Sequence, residues 1–430
     1  MTDFSLPSIV STLVGNNSLA SKRTSSSSSN TPNSKLARTS SSTPTSQSSP
    51  LEPIVFICNS ELLKHGDNPE VNKDRLKFLF DLAHHYGLFE KLLIVSPRPA
   101  SFEELIQFHS KDYVNALRYY SEDQFLSLGP RLSPDILYAY GLVEPDCAPF
   151  PGLYEHVSWV AGASISAAKV LTNDYARIAF NFSGGRHHAK RDSAGGYCFV
   201  GDIPLCIYEL RTKFKRVMYI DVDIHHGDGV EEAFADDPSV LTVSFHKYGN
   251  AFYPETGSIK DVGTGQGQYS AINVPLDDGM RDDNYYEMFT TITYAAFHKF
   301  KPGAVVVQCG TDTLVNDPIG TFSLSVYGLA RCIDYAMRLP ARILALGGGG
   351  YSNPNAARLW TQILALITNS APLPIDIPEH DRYESYSPTY TLQVEPQRHV
   401  PDKNTAEYLD QIQSVILSRI KKLPDYDEYE

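Results

Sequence analysis

Five apolar runs along the chain share one pattern, because each has the apolar character of a β-strand and ends in Gly, Asp or His. They read RIAFNFSGG, RVMYIDVDI, SVLTVSFH, GAVVVQCG and ARILALGGGG, and helical segments separate several of them. Such runs are typical of strands that are buried on both faces. Their alternation with helices predicts an α/β fold, in which a mainly parallel central sheet has helices on both sides.

The same hydrophobic pattern extends to the N-terminal side of these runs. PIVFICN, at residues 53–59, predicts a further buried strand. Apolar residues at helical spacing predict a helix over residues 72–88 that ends near Gly87, and a second helix over residues 158–171 carries small side chains suited to close packing. We therefore expect one large folded domain over residues 51–430.

Residues 1–50 have a different composition, rich in Ser and Thr and nearly free of large apolar side chains. Such a segment cannot bury enough surface to offset its ordering entropy, so we expect a disordered tail. Its basic, acid-poor character has some likeness to a mitochondrial transit peptide, but a flexible, phosphorylatable tail is the favoured interpretation. We expect no cleaved secretory signal, since no charged start precedes an apolar run.

Charge and cysteine content narrow the function further. The chain has 430 residues and a net charge of −13, whereas binding to nucleic acid through phosphates needs clustered Lys and Arg. We therefore expect no direct sequence-specific nucleic-acid binding, and an acidic surface suits a cationic partner such as a lysine-rich tail. No run reaches the roughly 18 apolar residues of a membrane span. Six scattered cysteines without CxxC predict reduced thiols.

The polar residues that follow the apolar runs suggest a metal site. In YIDVDIHHGDG, alternation places Asp221, Asp223 and His225 on one face of the strand. Asp312 follows another strand, and in parallel sheets the ligand site lies beyond the carboxyl ends of the strands. Asp223, His225 and Asp312 together would leave a fourth position of Zn²⁺ open for water. Oxygen ligands also admit other divalent metals. The alternative is a satisfied strand end whose Asp caps the next helix.

Two adjacent histidines follow a further strand. His187 and His188 cannot easily bind one metal together, but they can act as acid–base groups beside it. Asp221 and Asp228 are the candidate carboxylates that would orient them. The alternative interpretation is a pair of ordinary loop histidines.

Two glycine-rich stretches have different interpretations. LGGGGY ends a strand in four glycines before Tyr351. This loop suits either phosphate binding or a mobile loop that brings a phenol to a carbonyl, and the phosphate-binding pattern G-x-x-x-x-G-K-[ST] is missing. GTGQGQY, at residues 263–269, lacks dinucleotide-binding spacing and predicts a plain loop.

Six motifs in this order resemble the class I zinc-dependent histone deacetylases, over about residues 53–420. The motifs are GGRHHAKRD, GYCFVGDI, YIDVDIHHGDGVEEAF, VSFHKYGNAFYPETG, QCGTDTLVNDP and LGGGGY. The compact build resembles the members that act as single subunits. The resemblance implies the arginase/deacetylase fold, with the active site at the carboxyl ends of the strands. It also implies hydrolysis of N6-acetyl-lysine on histones or other chromatin proteins, such as cohesin subunits.

The same resemblance implies a nuclear repressor of transcription, with the cytoplasm as a second location and a corepressor or chromatin complex as a partner. It also implies site roles at matching positions. Zn²⁺ would bind Asp223, His225 and Asp312. His188 with Asp228 would be the general base, His187 with Asp221 its electrostatic partner, and Tyr351 the donor to the acetyl oxygen. A structural K⁺ would use Asp221, Asp223, His225, Ser244 and Phe245. Substrate would contact Asp146, Gly196, Tyr197, Tyr253 and Ile319.

The sequence departs from the family's pattern at a few of these places. Arg186 stands where relatives usually have an apolar or aromatic residue, and its guanidinium would depress histidine basicity if it pointed inward. Tyr197 and Tyr253 replace the common Phe at both tunnel walls, and Ile319 replaces Leu or Met. Two other functions remain open at this point: a binuclear manganese ureohydrolase such as arginase, and a non-catalytic acetyl-lysine reader or scaffold.

Overall fold

The computed structural model describes residues 52–121, 133–143, 145–395 and 400–426. The predicted disordered tail at residues 1–50 lies outside these ranges. In the described part of the chain, one eight-stranded sheet runs in the order β2-β1-β3-β8-β7-β4-β5-β6, and every neighbouring pair is parallel. The strands are β1 (Ile54–Ile57), β2 (Leu93–Val95), β3 (Ile178–Asn181), β4 (Val217–Asp221), β5 (Val240–Lys247), β6 (Ala271–Leu276), β7 (Ala304–Gln308) and β8 (Arg342–Leu346).

Helices cover both faces of this sheet, so the predicted α/β architecture is confirmed. The α-helices are α1 (Ser60–His65), α2 (Arg75–His85), α3 (Phe102–Leu105), α4 (Lys111–Ser121), α5 (Pro134–Ala139), α6 (Leu153–Thr172), α7 (Asp202–Leu210), α8 (Asp228–Phe234), α9 (Asp282–Phe300), α10 (Val326–Met337), α11 (Asn353–Ile367) and α12 (Ala406–Ile420). Short 3₁₀ turns lie at Leu88–Lys91, Pro145–Cys147, Gly265–Gly267 and Tyr383–Tyr386.

Two hydrophobic cores lie on opposite faces of the sheet. In β4, Met218 and Ile220 belong to the core packed against α9, α10 and α11, whereas Val217 and Tyr219 belong to the core packed against α6 and α7. Because both faces are buried, the strands read as continuous apolar runs rather than as alternating ones. All six cysteines are free and buried.

The predicted element boundaries differ from the observed ones in a few places. The helix expected over residues 72–88 runs from Arg75 to His85, because Asp74 before it takes a left-handed conformation with φ of 65°. The helix expected over residues 158–171 begins earlier, at Leu153, after a left-handed Gly152. The predicted plain loop contains one 3₁₀ turn. None of the described helices has the length and apolar character needed to cross a membrane.

Helix α6 fixes the loop that carries the histidine pair. Its Ser164 hydroxyl donates to Asp202, the first residue of α7, at 2.5 Å. The Asp202 carboxylate in turn accepts the backbone N–H groups of Gly185 at 3.0 Å and Arg186 at 2.8 Å. The residues that precede the two histidines are therefore held by a buried carboxylate that the sequence pattern did not single out.

The close packing of α6 lets us predict how a substitution at Gly162 changes the free energy of unfolding. An alanine in a helix interior normally stabilises by about 1 kcal/mol relative to glycine, but a Cβ at Gly162 would lie 2.1 Å from the Arg98 carbonyl oxygen and 2.5 Å from the Ala100 nitrogen. We expect Gly162→Ala to lower the free energy of unfolding by about 1–3 kcal/mol, as overpacking does. Denaturation in urea measures this change. Ser166→Ala, one turn further along, should shift it by less than about 0.5 kcal/mol, and a stabilised Gly162→Ala protein would contradict the packing.

Candidate active site

The polar residues at the end of β4 lie at one edge of the sheet. The strand ends at Asp221 rather than continuing to His225 as expected, although the Val222 N–H still donates to the Gln308 carbonyl of β7 at 3.3 Å. The alternation of sides continues past this point, because Val222 and Ile224 remain in the apolar core. Asp221, Asp223 and His225 therefore share the opposite side.

Three buried side chains converge where this edge faces the end of β7. Asp223, His225 and Asp312 each offer one ligand atom, and these atoms all lie within 4.8 Å of one another. His225 Nδ1 is 3.1 Å from Asp223 Oδ1 and 3.2 Å from Asp312 Oδ2. The arrangement brings together the three residues that the sequence analysis singled out as zinc ligands.

The remaining carboxylate oxygens are held by donors from the protein. Asp223 Oδ2 accepts from Gln308 Nε2 and from the Gly349 N–H, both at 2.7 Å. Asp312 Oδ1 accepts from the Ile224 N–H at 2.9 Å. These bonds orient the other oxygen of each carboxylate towards His225. Gln308 was not predicted from the sequence, where its only signal is that a polar residue ends an otherwise apolar strand.

The electrostatics of this group fit a divalent cation. Burial, together with the charge of Asp223, raises the pKa of Asp312 well above its usual value. Burial opposes ionisation of Asp223 as well, but His187 and His225 hold its pKa well below the usual range. Two carboxylates this close repel each other when both are ionised, and a cation relieves the repulsion. One imidazole nitrogen and two carboxylate oxygens are a donor set that suits Zn²⁺ in a site with three protein ligands.

The two adjacent histidines each pair with a different carboxylate. His187 Nδ1 lies 2.8 Å from Asp221 Oδ2, and His188 Nδ1 lies 2.7 Å from Asp228 Oδ1. Their ring centroids are 4.0 Å apart, and both rings are buried. Because each Nδ1 is engaged by a carboxylate, each Nε2 is the nitrogen left for a substrate or a water.

The helix that carries Asp228 also anchors the histidine loop. The N–H groups of Gly229 and Val230, in the first turn of α8, donate to the His187 carbonyl at 3.0 and 3.3 Å. N–H groups in a first helical turn have no partner inside the helix, so this loop satisfies them. The contact ties the histidine pair to its orienting carboxylate.

The two imidazoles have opposite pKa shifts. Burial, helped by the neighbouring His187, lowers the pKa of His188 to about 4. Burial also acts against protonation of His187, but Asp223 and Asp221 outweigh it and raise the pKa of His187 to about 9. At neutral pH, His188 is therefore the imidazole able to accept a proton. A cation on Asp223 would compensate that carboxylate and reduce the shift of His187.

Tyr351 is held beside the metal group by a carboxylate that sequence analysis missed. Asp317 Oδ2 accepts the Tyr351 N–H at 2.8 Å, and Asp317 Oδ1 accepts the Ile319 N–H at 3.1 Å. Burial, with nearby Asp312, raises the pKa of the Tyr351 phenol well above its usual value. The phenol therefore remains a protonated donor at neutral pH.

The glycine-rich loop before Tyr351 is anchored from below. Arg75 Nη1 donates to the carbonyls of Gly348 at 2.9 Å and Gly350 at 3.1 Å. Backbone carbonyls, rather than N–H groups, therefore face this guanidinium. The bonds fix the turn that places the phenol, and they do not resemble a phosphate cradle.

Two tyrosines and a glycine surround the approach to the histidines. The Tyr253 ring lies 5.0 Å from the His188 ring, and the Tyr197 ring lies 5.6 Å from the Tyr351 ring. A Cβ at Gly196 would lie only 2.3 Å from His188 Cδ2, so a side chain would not fit there. The structure thus brings Tyr253 and Gly196 next to His188, and Tyr197 next to Tyr351.

The other predicted residues lie further from the imidazoles. Asp146 is half-buried, and its charge adds to the burial that raises the pKa of the Tyr197 phenol. Ile319 is 39% exposed, with its backbone fixed by Asp317. The predicted potassium residues Ser244 and Phe245 lie in β5, where Ser244 pairs with Asp221 of β4.

Arg186 does not point at the histidine pair in the way that would depress its basicity. The Arg186 Nη2 donates to the Gly66 carbonyl at 3.3 Å, beneath the site. The leading causes of the pKa shifts of both imidazoles are burial, the carboxylates and the other imidazoles of the site, rather than Arg186. Arg186 lines a small cavity together with both histidines.

Comparisons with known proteins agree with this geometry. The family described as Histone deacetylase domain matches residues 69–367. Histone deacetylase 8 of Xenopus tropicalis is 39% identical over 370 residues, which cover 86% of this chain and 98% of that protein. Type-1 histone deacetylase 1 of Dictyostelium discoideum is 39% identical over 378 residues, covering 86% and 73% of the two chains. Histone deacetylase 1 of Homo sapiens is 38% identical over 360 residues, covering 84% and 73%.

The metal group predicts the effect of removing one ligand. Asp312→Ala removes one of three donors and leaves the other carboxylate without a cation, so we expect its affinity for Zn²⁺ to fall by at least about 100-fold. Metal analysis after dialysis against a weak chelator measures this loss. Asp146→Ala, which removes a half-buried carboxylate outside the group, should keep its Zn²⁺. Equal zinc content in the two variants would contradict the assignment.

Proposed function

Because this chain belongs to the histone deacetylase family, we propose that it hydrolyses N6-acetyl-lysine side chains to lysine and acetate, with the residues of the described site in the roles given below. The observation that carries this proposal is the convergence of the three-ligand group, the histidine pair and the Tyr351 phenol at one edge of the sheet. All of these groups lie within the matched residues 69–367.

Asp223, His225 and Asp312 would hold Zn²⁺, and the bound ion would supply Lewis-acid polarisation of the acyl carbonyl and activation of water. The protein's contribution is to hold these three side chains in place before substrate arrives. The bonds from Gln308 and the Gly349 N–H to Asp223 serve this purpose. Hydrolysis through one cation is a chemistry that this donor set supports.

His188 is the general base in this proposal. Its pKa of about 4 keeps the imidazole neutral at pH 7, so that Nε2 can take a proton from the attacking water. Asp228 accepts from Nδ1 and stabilises the imidazolium that forms. The protonated histidine pair then supplies the proton that the departing lysine amine needs, with His187 and Asp221 stabilising the charge through their own pair.

Tyr351 stabilises the negative charge that develops on the acyl oxygen. Its phenol remains protonated because burial raises its pKa, so it can donate to that oxygen. Asp317 fixes the backbone of the tyrosine, which keeps the donor in position. The phenol is thus a preorganised donor that needs no rearrangement during the reaction.

The acyl-lysine stem would pass between Tyr197 and Tyr253, which flank the approach to the imidazoles. Gly196 leaves room for the stem beside His188, and Asp146 is the acid proposed to grip the substrate backbone. Ile319 would contact substrate only at the outer edge, because its side chain is largely at the surface. This arrangement selects a long unbranched stem and reads little of the protein around it.

The substrate proteins and partners follow from the family rather than from the site. Acetylated histones, or other chromatin proteins such as cohesin subunits, are the proposed substrates. A corepressor or chromatin complex is the proposed partner, and the nucleus the proposed location, with the cytoplasm as a second one. Repression of transcription is the proposed outcome of the activity.

A structural potassium site is also proposed, at Asp221, Asp223, His225, Ser244 and Phe245. The support is the register of β4 and β5, which sets Ser244 beside Asp221. Potassium would bind oxygen atoms, and the strand ends offer backbone carbonyls as well as the Asp221 carboxylate. Thermal unfolding in KCl compared with equal N-methylglucamine chloride tests it, since a bound cation raises the midpoint.

The two alternative functions are less well supported. A binuclear ureohydrolase needs two adjacent metal sites, whereas the described residues contain one group of three ligands. A non-catalytic reader would not need the base and the phenol, yet both are in place with their orienting carboxylates. Turnover of acetyl-lysine separates the enzyme from the reader directly.

The role of the phenol predicts the consequence of removing it. Tyr351→Phe should lower kcat for an acetyl-lysine peptide by about 10²–10³, the cost of losing one oxyanion donor. Zinc content and unfolding midpoint should remain near those of the wild-type protein. Tyr197→Phe is the matched control, because it removes a phenol from the tunnel wall and should change kcat only slightly. Wild-type turnover by Tyr351→Phe would show that the proposed mechanism is wrong.

A further inference from the structure

A small cavity is lined both by reactive groups of the site and by two buried arginines. Its lining includes His187, His188 and Tyr351 on the reactive side, and Asn72, Arg75 and Arg186, which form what we call its floor. An acyl group longer than acetyl, held at the histidines, would therefore have the floor within the same cavity.

Both guanidiniums of the floor are buried and incompletely hydrogen-bonded. Arg75 is 1% exposed and Arg186 is 5% exposed. Arg75 uses Nη1 for the glycine-rich loop, and Arg186 uses Nη2 for the Gly66 carbonyl. Within the described part of the chain, Nε and Nη2 of Arg75 and Nε of Arg186 have no hydrogen-bond partner. Buried charged donors without partners are costly, so an acceptor at this place would be strongly favoured.

The nearby negative charge does not balance the two cations. Asp67 acts electrostatically on both arginines, but one of its oxygens is taken by the Leu76 N–H. Burial raises the pKa of Asp67 to about 6 in spite of both guanidiniums, so this carboxyl is mostly ionised at pH 7 and offsets at most one of the two cations. His156, which also lies near Arg186, is neutral, because burial lowers its pKa to about 3. The floor therefore carries an excess of positive charge.

The geometry points to a second class of substrate: we propose that Arg186, together with Arg75, receives the carboxylate of a short dicarboxylic acyl group, so that the protein also removes malonyl or succinyl groups from lysine. This inference rests on the proposed deacylase function and adds the acyl specificity of the same site. Arg186 is a specificity-determining residue in it, and the groups that carry out the hydrolysis are unchanged.

The reaction balances in the same way as the removal of acetate. The water oxygen forms a bond to the acyl carbon, and the bond between that carbon and the lysine nitrogen breaks. One proton of the attacking water passes to the amine through the histidine pair. The newly formed carboxylic acid gives up the other water proton, which completes the lysine ammonium. The products are a lysine ammonium and a free dicarboxylate, and water is the only co-reactant.

The backbone holds Arg186 in a position suited to this role. Its N–H donates to Asp202 at 2.8 Å, and the next two residues are the histidine pair. The side chain thus starts one residue before the histidine pair and contributes to the floor of the cavity. An apolar side chain at this position would leave Arg75 as the only guanidinium among the lining residues.

The first test compares acyl groups on one peptide. The ratio of kcat/KM for malonyl-lysine to kcat/KM for acetyl-lysine is measured for the wild-type protein, Arg186→Met and Arg186→Lys. We expect Arg186→Met to lower this ratio by about 10- to 100-fold, the range of a charge-assisted hydrogen bond. Arg186→Lys should lower it less, since the charge remains. Succinyl-lysine shows which chain length reaches the floor, and neutral propionyl-lysine controls for size.

A binding measurement keeps the inference testable if a variant folds poorly or the protein turns over no substrate. His188→Ala, loaded with Zn²⁺, is titrated into fluorescent malonyl-lysine and propionyl-lysine peptides, and anisotropy gives the two Kd values. We expect malonyl-lysine to bind about 10-fold more tightly. Equal or weaker binding of malonyl-lysine, or a kcat/KM ratio that Arg186→Met leaves unchanged, would overturn the inference. Absence of turnover on every acyl peptide would instead refute the proposed function, while the binding result still decides this one.

Discussion

Three carboxylates are buried at the carboxyl edge of one sheet, and the rest of the site depends on compensating them. Asp221 receives the Tyr219 hydroxyl at 2.6 Å and a nitrogen of His187 at 2.8 Å. Asp223 and Asp312 share an imidazole and face each other across it. Unpaired buried carboxylates cost several kcal/mol each, so the site is stable only with donors, imidazoles and a cation around them. The buried carboxylates that make this edge energetically unfavourable are the same groups that can bind a cation and orient the histidines.

The parallel sheet brings the compensating groups together without a long loop. Strands β4, β7 and β8 are neighbours, and each supplies one part of the site immediately after it ends. The residues after β4 give two metal ligands, those after β7 give Asp312, and those after β8 give Tyr351. The loop after β3 adds the histidine pair, which the first turn of α8 ties back to Asp228. The functional side chains thus all lie along one edge of the sheet, and the two cores on the faces of the sheet hold that edge in place.

Much of this arrangement was predictable, because its signal lies in residue type and local spacing. A buried carboxylate in or just after an apolar strand is so unfavourable that Asp221, Asp223 and Asp312 could be identified as candidates from the sequence. The parallel sheet was predictable because its strands are buried on both faces. The supporting residues Gln308, Asp202 and Asp317 carried no comparable signal. Each is an ordinary polar residue in the sequence, and its role arises only when folding brings a distant backbone N–H or carboxylate to it. The helix boundaries also differed from those predicted, because left-handed residues, Asp74 and Gly152, precede two of the helices and the hydrophobic pattern does not reveal them.

The central claim is that the site converts bound zinc into deacylation. The most direct measurement removes the metal from the purified protein, returns Zn²⁺ in steps, and follows both zinc content and release of acetate from an acetyl-lysine peptide in the same samples. The account predicts that turnover rises in proportion to bound zinc and stops rising at about one ion per chain, the stoichiometry of a site with three protein ligands. Full turnover without metal, or one tightly bound zinc with no turnover, would contradict it.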